Sequence, residues 1–317
     1  MKTIRTVSVA VLCALNTISA FAVKTVEWNP AGSGGWADGS RWKDSSVPEA
    51  GDSVKVSGCT AVVDSVDFAL AASMTEIVLV DEAVLAFDLD DTAAKHVFDT
   101  VKVSGSGTVL KDGGGTLVWG ASGKQESYYK VPSPDKGFVV LEGEMAFTGN
   151  AGPVTVNAPG RIRPREDNNF SCYGLYGDGY VTNDVVNQFW FSGGSAASPA
   201  TFSGKFLCKI DLTLYNGYQY LENAAAAPGA NGDIRLWDGV VGVKSFGKCG
   251  AAGSLGGTKT IWCRGDPLTI LYLGEGETTD HEFKFNTDSG EITLDAGANG
   301  AEVFNGNITA SAGSSKM

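Results

Sequence analysis

Ala146-Phe147-Thr148-Gly149-Asn150 returns as Thr201-Phe202-Ser203-Gly204-Lys205, and again as Val303-Phe304-Asn305-Gly306-Asn307. Each copy reads a small or β-branched residue, Phe, a small polar residue, Gly, then Asn or Lys. After the second and third copies the chain runs straight into alternating segments, Phe206-Leu207-Cys208-Lys209-Ile210 and Ile308-Thr309-Ala310. The copies lie 202 − 147 = 55 and 304 − 202 = 102 residues apart, so the element recurs without a fixed period. A Phe-x-Gly element beside β-type segments at irregular spacing predicts stacked strands joined by loops of variable length. In such a stack the element reads as a corner, with Phe147, Phe202 and Phe304 packed inward and the glycine turning the chain.

The rest of the chain agrees with that reading. Glycine supplies 42 of 317 residues, well above ordinary usage. Alternating runs such as Val54-Lys55-Val56, Ile77-Val78-Leu79-Val80 and Glu291-Ile292-Thr293-Leu294 recur between Gly, Asp, Asn and Ser clusters, which predicts an all-β chain of many short strands. Ser104-Gly105-Ser106-Gly107-Thr108-Val109-Leu110 and Gly113-Gly114-Gly115-Thr116-Leu117-Val118-Trp119 are near-copies, with glycines entering a Thr-aliphatic strand as at a sharp corner. Residues 121–136 are polar and broken by Pro132 and Pro134, and read as a protruding loop. With 43% hydrophobic residues the chain is not compositionally disordered.

The first 22 residues read as an export signal, with Lys2 and Arg5 as a positive start and Val7 to Leu15 as the apolar run. Ser19-Ala20-Phe21-Ala22 offers the small-x-small pattern that places cleavage after Ala22. The apolar run is too short to span a bilayer, and no other membrane-spanning segment is expected. The expected address is secreted or cell-surface. The remaining 317 − 22 = 295 residues carry 22 basic and 36 acidic side chains, a formal charge of 22 − 36 = −14. That balance argues against nucleic acid or an anionic membrane surface as partner, because phosphate contacts need Lys and Arg. Five cysteines remain after processing (Cys59, Cys172, Cys208, Cys249, Cys263), with no CxxC pair. Cys249 and Cys263 flank a Gly-rich turn and are the most plausible local disulfide.

Residues 23–58 stand apart by their tryptophans, Trp28, Trp36 and Trp42. They read as a plug for the open first coil of a solenoid, which would otherwise expose its core; the competing reading is a platform that stacks on sugar rings. Pro48 through Asp52 then turns the chain into the first regular strand, Ser53 to Ser57, and residues 59–317 form the solenoid itself.

The Trp-rich start closing on Pro48-Glu49-Ala50-Gly51-Asp52-Ser53-Val54-Lys55-Val56, the Gly-Thr-Leu strands and the Phe-x-Gly elements resemble bacterial autotransporter-associated β-strand repeat proteins. Gly174 to Lys205 and Phe304 to Ala310 carry the resemblance best. It implies a right-handed parallel β-helix, of the pectate-lyase-like solenoid type, that is exported and displayed or released at the cell surface, often without enzymatic activity. Extracellular glycans or host and cell-surface components are the partners it implies. At roughly twenty to twenty-five residues per rung the chain would make on the order of a dozen rungs.

The enzyme alternative is a polysaccharide lyase or hydrolase, or a sugar-binding domain, on the same scaffold. Asp88 and Asp90 fall on one face of a strand, and Arg161, Arg163 and Arg165 also alternate on one face, so a groove of carboxylates and arginines is conceivable where the two faces meet. With Trp28, Trp36 and Trp42 these complete the candidate ligand-binding residues. No catalytic residue, metal ligand or cofactor is assigned. His96 and His281 are isolated and read as surface or loop residues, no Gly-x-Ser-x-Gly elbow with an ordered acid and His occurs, and Gly34 to Gly39 matches a Ca²⁺-binding nonapeptide only once.

Overall fold

The computed structural model describes residues 23–29, 32–120, 136–147, 149–164, 170–182, 188–207, 211–225, 233–264, 267–286, 291–298 and 302–310. The expected signal segment, most of the 121–136 loop, Arg165 and Cys208 lie outside them. The described strands build a β-solenoid of about 10 turns. They form six sheets, the largest of seven and eight strands, and every strand pairing within them is parallel.

Register explains why the repeat is faint in the sequence. Val54 pairs with Ile77 and Ile77 with Val103, steps of 77 − 54 = 23 and 103 − 77 = 26 residues. Between Val109 and Phe138 the step is 138 − 109 = 29, and between Phe138 and Val154 it is 154 − 138 = 16. Strands stay locked face to face while the corners change length, so inward positions stack although sequence distances drift.

The inward columns make one core cluster running from Val26 to Phe283. Through its middle passes a chain of aromatic contacts: Phe87, Phe98, Trp119, Phe138, Phe147, Phe170 and Phe189 touch in succession with ring centroids 4.7–5.1 Å apart. Such pairs add about 0.5–1.5 kcal/mol each beyond the area they bury.

At the N-terminal end the three tryptophans close the coil. Trp28, Trp36 and Trp42 are 1%, 0% and 1% exposed. Trp42 stands edge-on to Trp28 at 4.6 Å and to Trp36 at 5.1 Å. The Trp42 Nε1–H donates to the Trp36 carbonyl at 2.8 Å, and the Trp28 Nε1–H to the Gly32 carbonyl at 3.1 Å. Strand Thr25–Glu27 seats this plug by pairing with Ser53–Ser57. The indole faces lie inside the core, so these residues form the cap and not a surface platform for sugars.

The Phe-x-Gly corners behave as expected at two of three sites. Phe147 and Phe202 are fully buried. Phe304 is half-buried: it packs on Phe246 and Phe283 at 5.9 and 5.2 Å, but it lies in the last described rung, with no described strand outside it. The glycines are required by close approach. A β-carbon at Gly204 would stand 2.1 Å from the Gly179 carbonyl oxygen, and one at Gly306 1.9 Å from that of His281. We expect Trp42→Ala to lower unfolding free energy by about 3–5 kcal/mol and Gly204→Ala by about 2 kcal/mol, read from urea melts of the purified chain. A Trp42→Ala protein as stable as its parent would remove the plug from this description.

Candidate functional site at the corner of two sheets

Thr60–Asp64, Val84–Asp88 and Thr108–Asp112 stack in register in the seven-stranded sheet. The pairing sets Asp64, Asp88 and Asp112 in one column at the strand ends, where the chain turns toward the six-stranded sheet. Partial burial raises the Asp88 carboxyl above its ordinary range. The like charges of Asp90, Asp112 and Asp64 push the same way, and Lys111 opposes them.

Lys111 occupies an inward position, in register between Phe87 and Val140, and is fully buried. Its ammonium donates to the carbonyls of Asp112 at 2.5 Å, Gly113 at 2.6 Å and Glu142 at 3.4 Å, so all three protons are used and two successive corners are joined. Burial lowers its pKa to about 8, against the pull of Asp112, Asp88, Glu142 and Asp90.

Beside this corner a shallow groove of about 380 Å³ opens along the start of the six-stranded sheet, lined by Thr116, Glu142, Gly143, Glu144 and Arg161 among others. Parallel register again builds it: Thr116, Glu144, Arg161 and Tyr180 are stacked partners. The Arg163 Nε–H donates to Glu144 Oε1 at 2.5 Å, with only 14% and 25% of the two side chains exposed. Arg161 lies 6.0 Å from the centre of the Tyr180 ring. Glu142 makes no ion pair with a described residue and is exposed.

Asp88 and Asp90 therefore sit on the same edge of the coil as Arg161 and Arg163 but are not brought together with them. The strand orders place three rung steps between Val84–Asp88 and Val154–Val156, which leads into Arg161–Pro164. Three steps amount to roughly 14 Å along the axis. A glycosidase- or lyase-type centre needs its carboxylates, or a carboxylate and a base, converging on one bond. The two sets do not converge. The groove can offer a carboxylate and a guanidinium for hydrogen bonding to a polyhydroxylated chain. Among the described residues no group of three or more His, Cys, Asp or Glu is placed to hold a metal ion.

Two expectations are corrected here. The disulfide between Cys249 and Cys263 does not form, and Cys59 and Cys172 are free thiols as well. Cys263 points into the core from strand Thr260–Cys263, where burial pushes its thiol up to about 12. Cys249 lies in the loop between strands, its N–H donating to the Asp280 carboxylate at 2.7 Å. His281 is not a surface residue but is fully buried, its Nδ1 and Nε2 facing the carbonyls of Thr258 and Phe246 at 2.5 and 3.0 Å. His96 is half-buried against Phe68, and burial holds its imidazole below the usual value.

Lys111, Glu142 and Glu144 were absent from the sequence-based candidates. Alternation contains the signal for Lys111, since Val109 faces inward and two residues later Lys111 must too. No family model, no curated protein and no solved structure matches this chain.

The folded-state pKa of Lys111 lies below its unfolded value of 10.5. The unfolded chain therefore binds more protons between the two values, so stability rises with pH through that window, and the penalty for burying the charge is fully present below about 8. We expect the difference between the parent and a Lys111→Met variant to shift by about 3 kcal/mol across pH 8 to 10.5. Parallel pH profiles for the two proteins in denaturant melts would contradict the assignment.

Proposed function

We propose that this chain is an exported structural or adhesive β-solenoid module, working at or outside the cell surface without catalytic activity of its own. The observation that carries the reading is the single core running the length of the coil, closed at one end by buried tryptophans. The most buried charged side chains at the candidate corner have structural tasks. Lys111 ties two corners, Glu144 holds Arg163, and the aspartate column stands apart from the arginines. The apolar signal-like segment ending at Ala22, the net acidic surface and the resemblance to exported β-strand repeat proteins support the address. Among the described residues no helix is long and apolar enough to cross a membrane.

A second reading, a carbohydrate-active enzyme or sugar-binding domain on the same scaffold, draws on the groove with Glu142 and Arg161. One preparation tests both. Expressed with residues 1–22 in a bacterial host, the chain is expected in the exported fraction with Val23 as its first residue by mass spectrometry. It is expected to release no reducing ends from a panel of neutral and acidic polysaccharides. Retention inside the cell with Met1 intact would remove the export reading. Depolymerisation that is lost in Glu142→Gln would replace the structural reading with the enzymatic one.

A further inference from the structure

The outer face of the eight-stranded sheet gathers side chains unlike those of the rest of this acidic surface. Parallel register stacks Trp190, Thr213, Arg235, Trp262 and Lys284 in one column, in which Thr213 is buried and Trp190, Arg235, Trp262 and Lys284 are half-buried. Beside it, at the ends of successive strands, run Tyr215, Trp237 and Arg264, each donating its N–H to the previous rung.

Arg264 is held between two indoles, its guanidinium carbon 5.7 Å from the Trp237 ring centre and 5.6 Å from that of Trp262. Lys284 Nζ lies 4.8 Å from the Trp262 ring, and Tyr215 stands edge-on to Trp237 at 6.1 Å with 45% of its surface exposed. Stacking between aromatic faces fixes a guanidinium in place while leaving its charge intact.

The charges on this face are unequally satisfied. Arg235 pairs with Asp233 at 2.7 Å and Lys284 approaches Glu282 at 3.8 Å. Arg264 has no carboxylate partner among the described residues, and its Nε–H is withdrawn from water with no acceptor. The Trp237 Nε1–H beside it is in the same condition. A donor left so costs about 1–3 kcal/mol. The Arg264 side chain as a whole is only half-buried, so an anion arriving from solvent can compensate its charge at the part of the guanidinium that faces water.

We propose that this face binds an acidic polysaccharide, with an anionic group of the glycan pairing with Arg264 and a sugar ring lying against Tyr215. Sparse anions separated by C–H surface suit a face with one open cation set among rings. A nucleic acid suits it less, because a phosphate at every residue needs a matching row of free Lys and Arg. Here Arg235 and Lys284 already have carboxylates beside them, and the whole chain carries −12. Strands spaced about 4.8 Å apart would let an extended glycan cross rungs with similar contacts repeated along it.

This assignment deepens the adhesive half of the proposed function and rests on it for access to extracellular glycans. Residues 23–317 would be titrated by biolayer interferometry against immobilised polygalacturonate, heparin, dextran and single-stranded DNA. Polygalacturonate and heparin separate a carboxylate from a sulfate as the recognised group. We expect binding to at least one of the two acidic glycans and none to dextran. Affinity should fall roughly tenfold in Arg264→Gln and also fall in Tyr215→Ala, and it should weaken with added salt. Tyr215 is exposed and its truncation leaves the core intact, so its loss of binding separates a contact from a folding defect.

Equal affinity in both variants and the parent, tighter binding to DNA than to either glycan, or no binding to either glycan would overturn the assignment. An exported, correctly processed chain that fails to bind would end this inference and leave the structural module standing. A chain that binds polygalacturonate and cleaves it would do the reverse.

Discussion

Parallel in-register stacking of rung on rung is the constraint on which everything else in this molecule depends. It satisfies the backbone of each strand from both neighbours and turns every position on a rung into a column. Inward columns become the aromatic chain from Phe87 to Phe189. Outward columns become whatever the sequence places there: aspartates on one edge, a glutamate beside an arginine on another, an indole between two cations on a third. A chemical feature on this scaffold is therefore a line along the axis, and its parts meet only when they share a column or adjacent ones. Asp88 and Arg161 illustrate the rule by failing it: both lie at one corner, yet several rungs separate them.

Corners are where the constraint is hardest to meet, because the chain must turn while its carbonyls lose their ladder partners. Buried polar side chains answer this at three places. Lys111 gives its three protons to carbonyls of two corners. Gln219 bonds both the N–H and the carbonyl of Leu175 and also reaches the Ala200 carbonyl. His281 faces the carbonyls of Thr258 and Phe246. Each is nearly or fully buried. An unsatisfied buried carbonyl in the same place would carry a cost of about 1–3 kcal/mol, which these side chains remove.

Much of the fold was legible because alternation and glycine punctuation act locally. The strands around Val54, Ile77 and Thr116, the tryptophan plug and the inward Phe147 and Phe202 all follow from period-two patterning and close backbone approach. What could not be read was register across rungs, because corner lengths vary between steps of 16 and 29 residues. Lacking register, the sequence allowed Asp88 and the arginines to share a groove, allowed Cys249 and Cys263 to bond, and left both histidines as surface or loop residues without showing that the loop at His281 is buried. It also hid the column of Trp262, Arg235 and Lys284, since these are far apart in the chain and ordinary in their own strands.

The plug of Trp28, Trp36 and Trp42 has a consequence for how the molecule comes apart. Rungs touch only their neighbours, so opening begins at an end and travels. The first rungs are sealed by buried indoles, whereas in the last described ones Val303 and Ile308 are 48% exposed and Ile292, Leu294 and Phe304 are only partly covered. Among the described rungs, the core side chains beneath the three indoles are therefore the better shielded from water, and solvent reaches them only after the plug has left its seat.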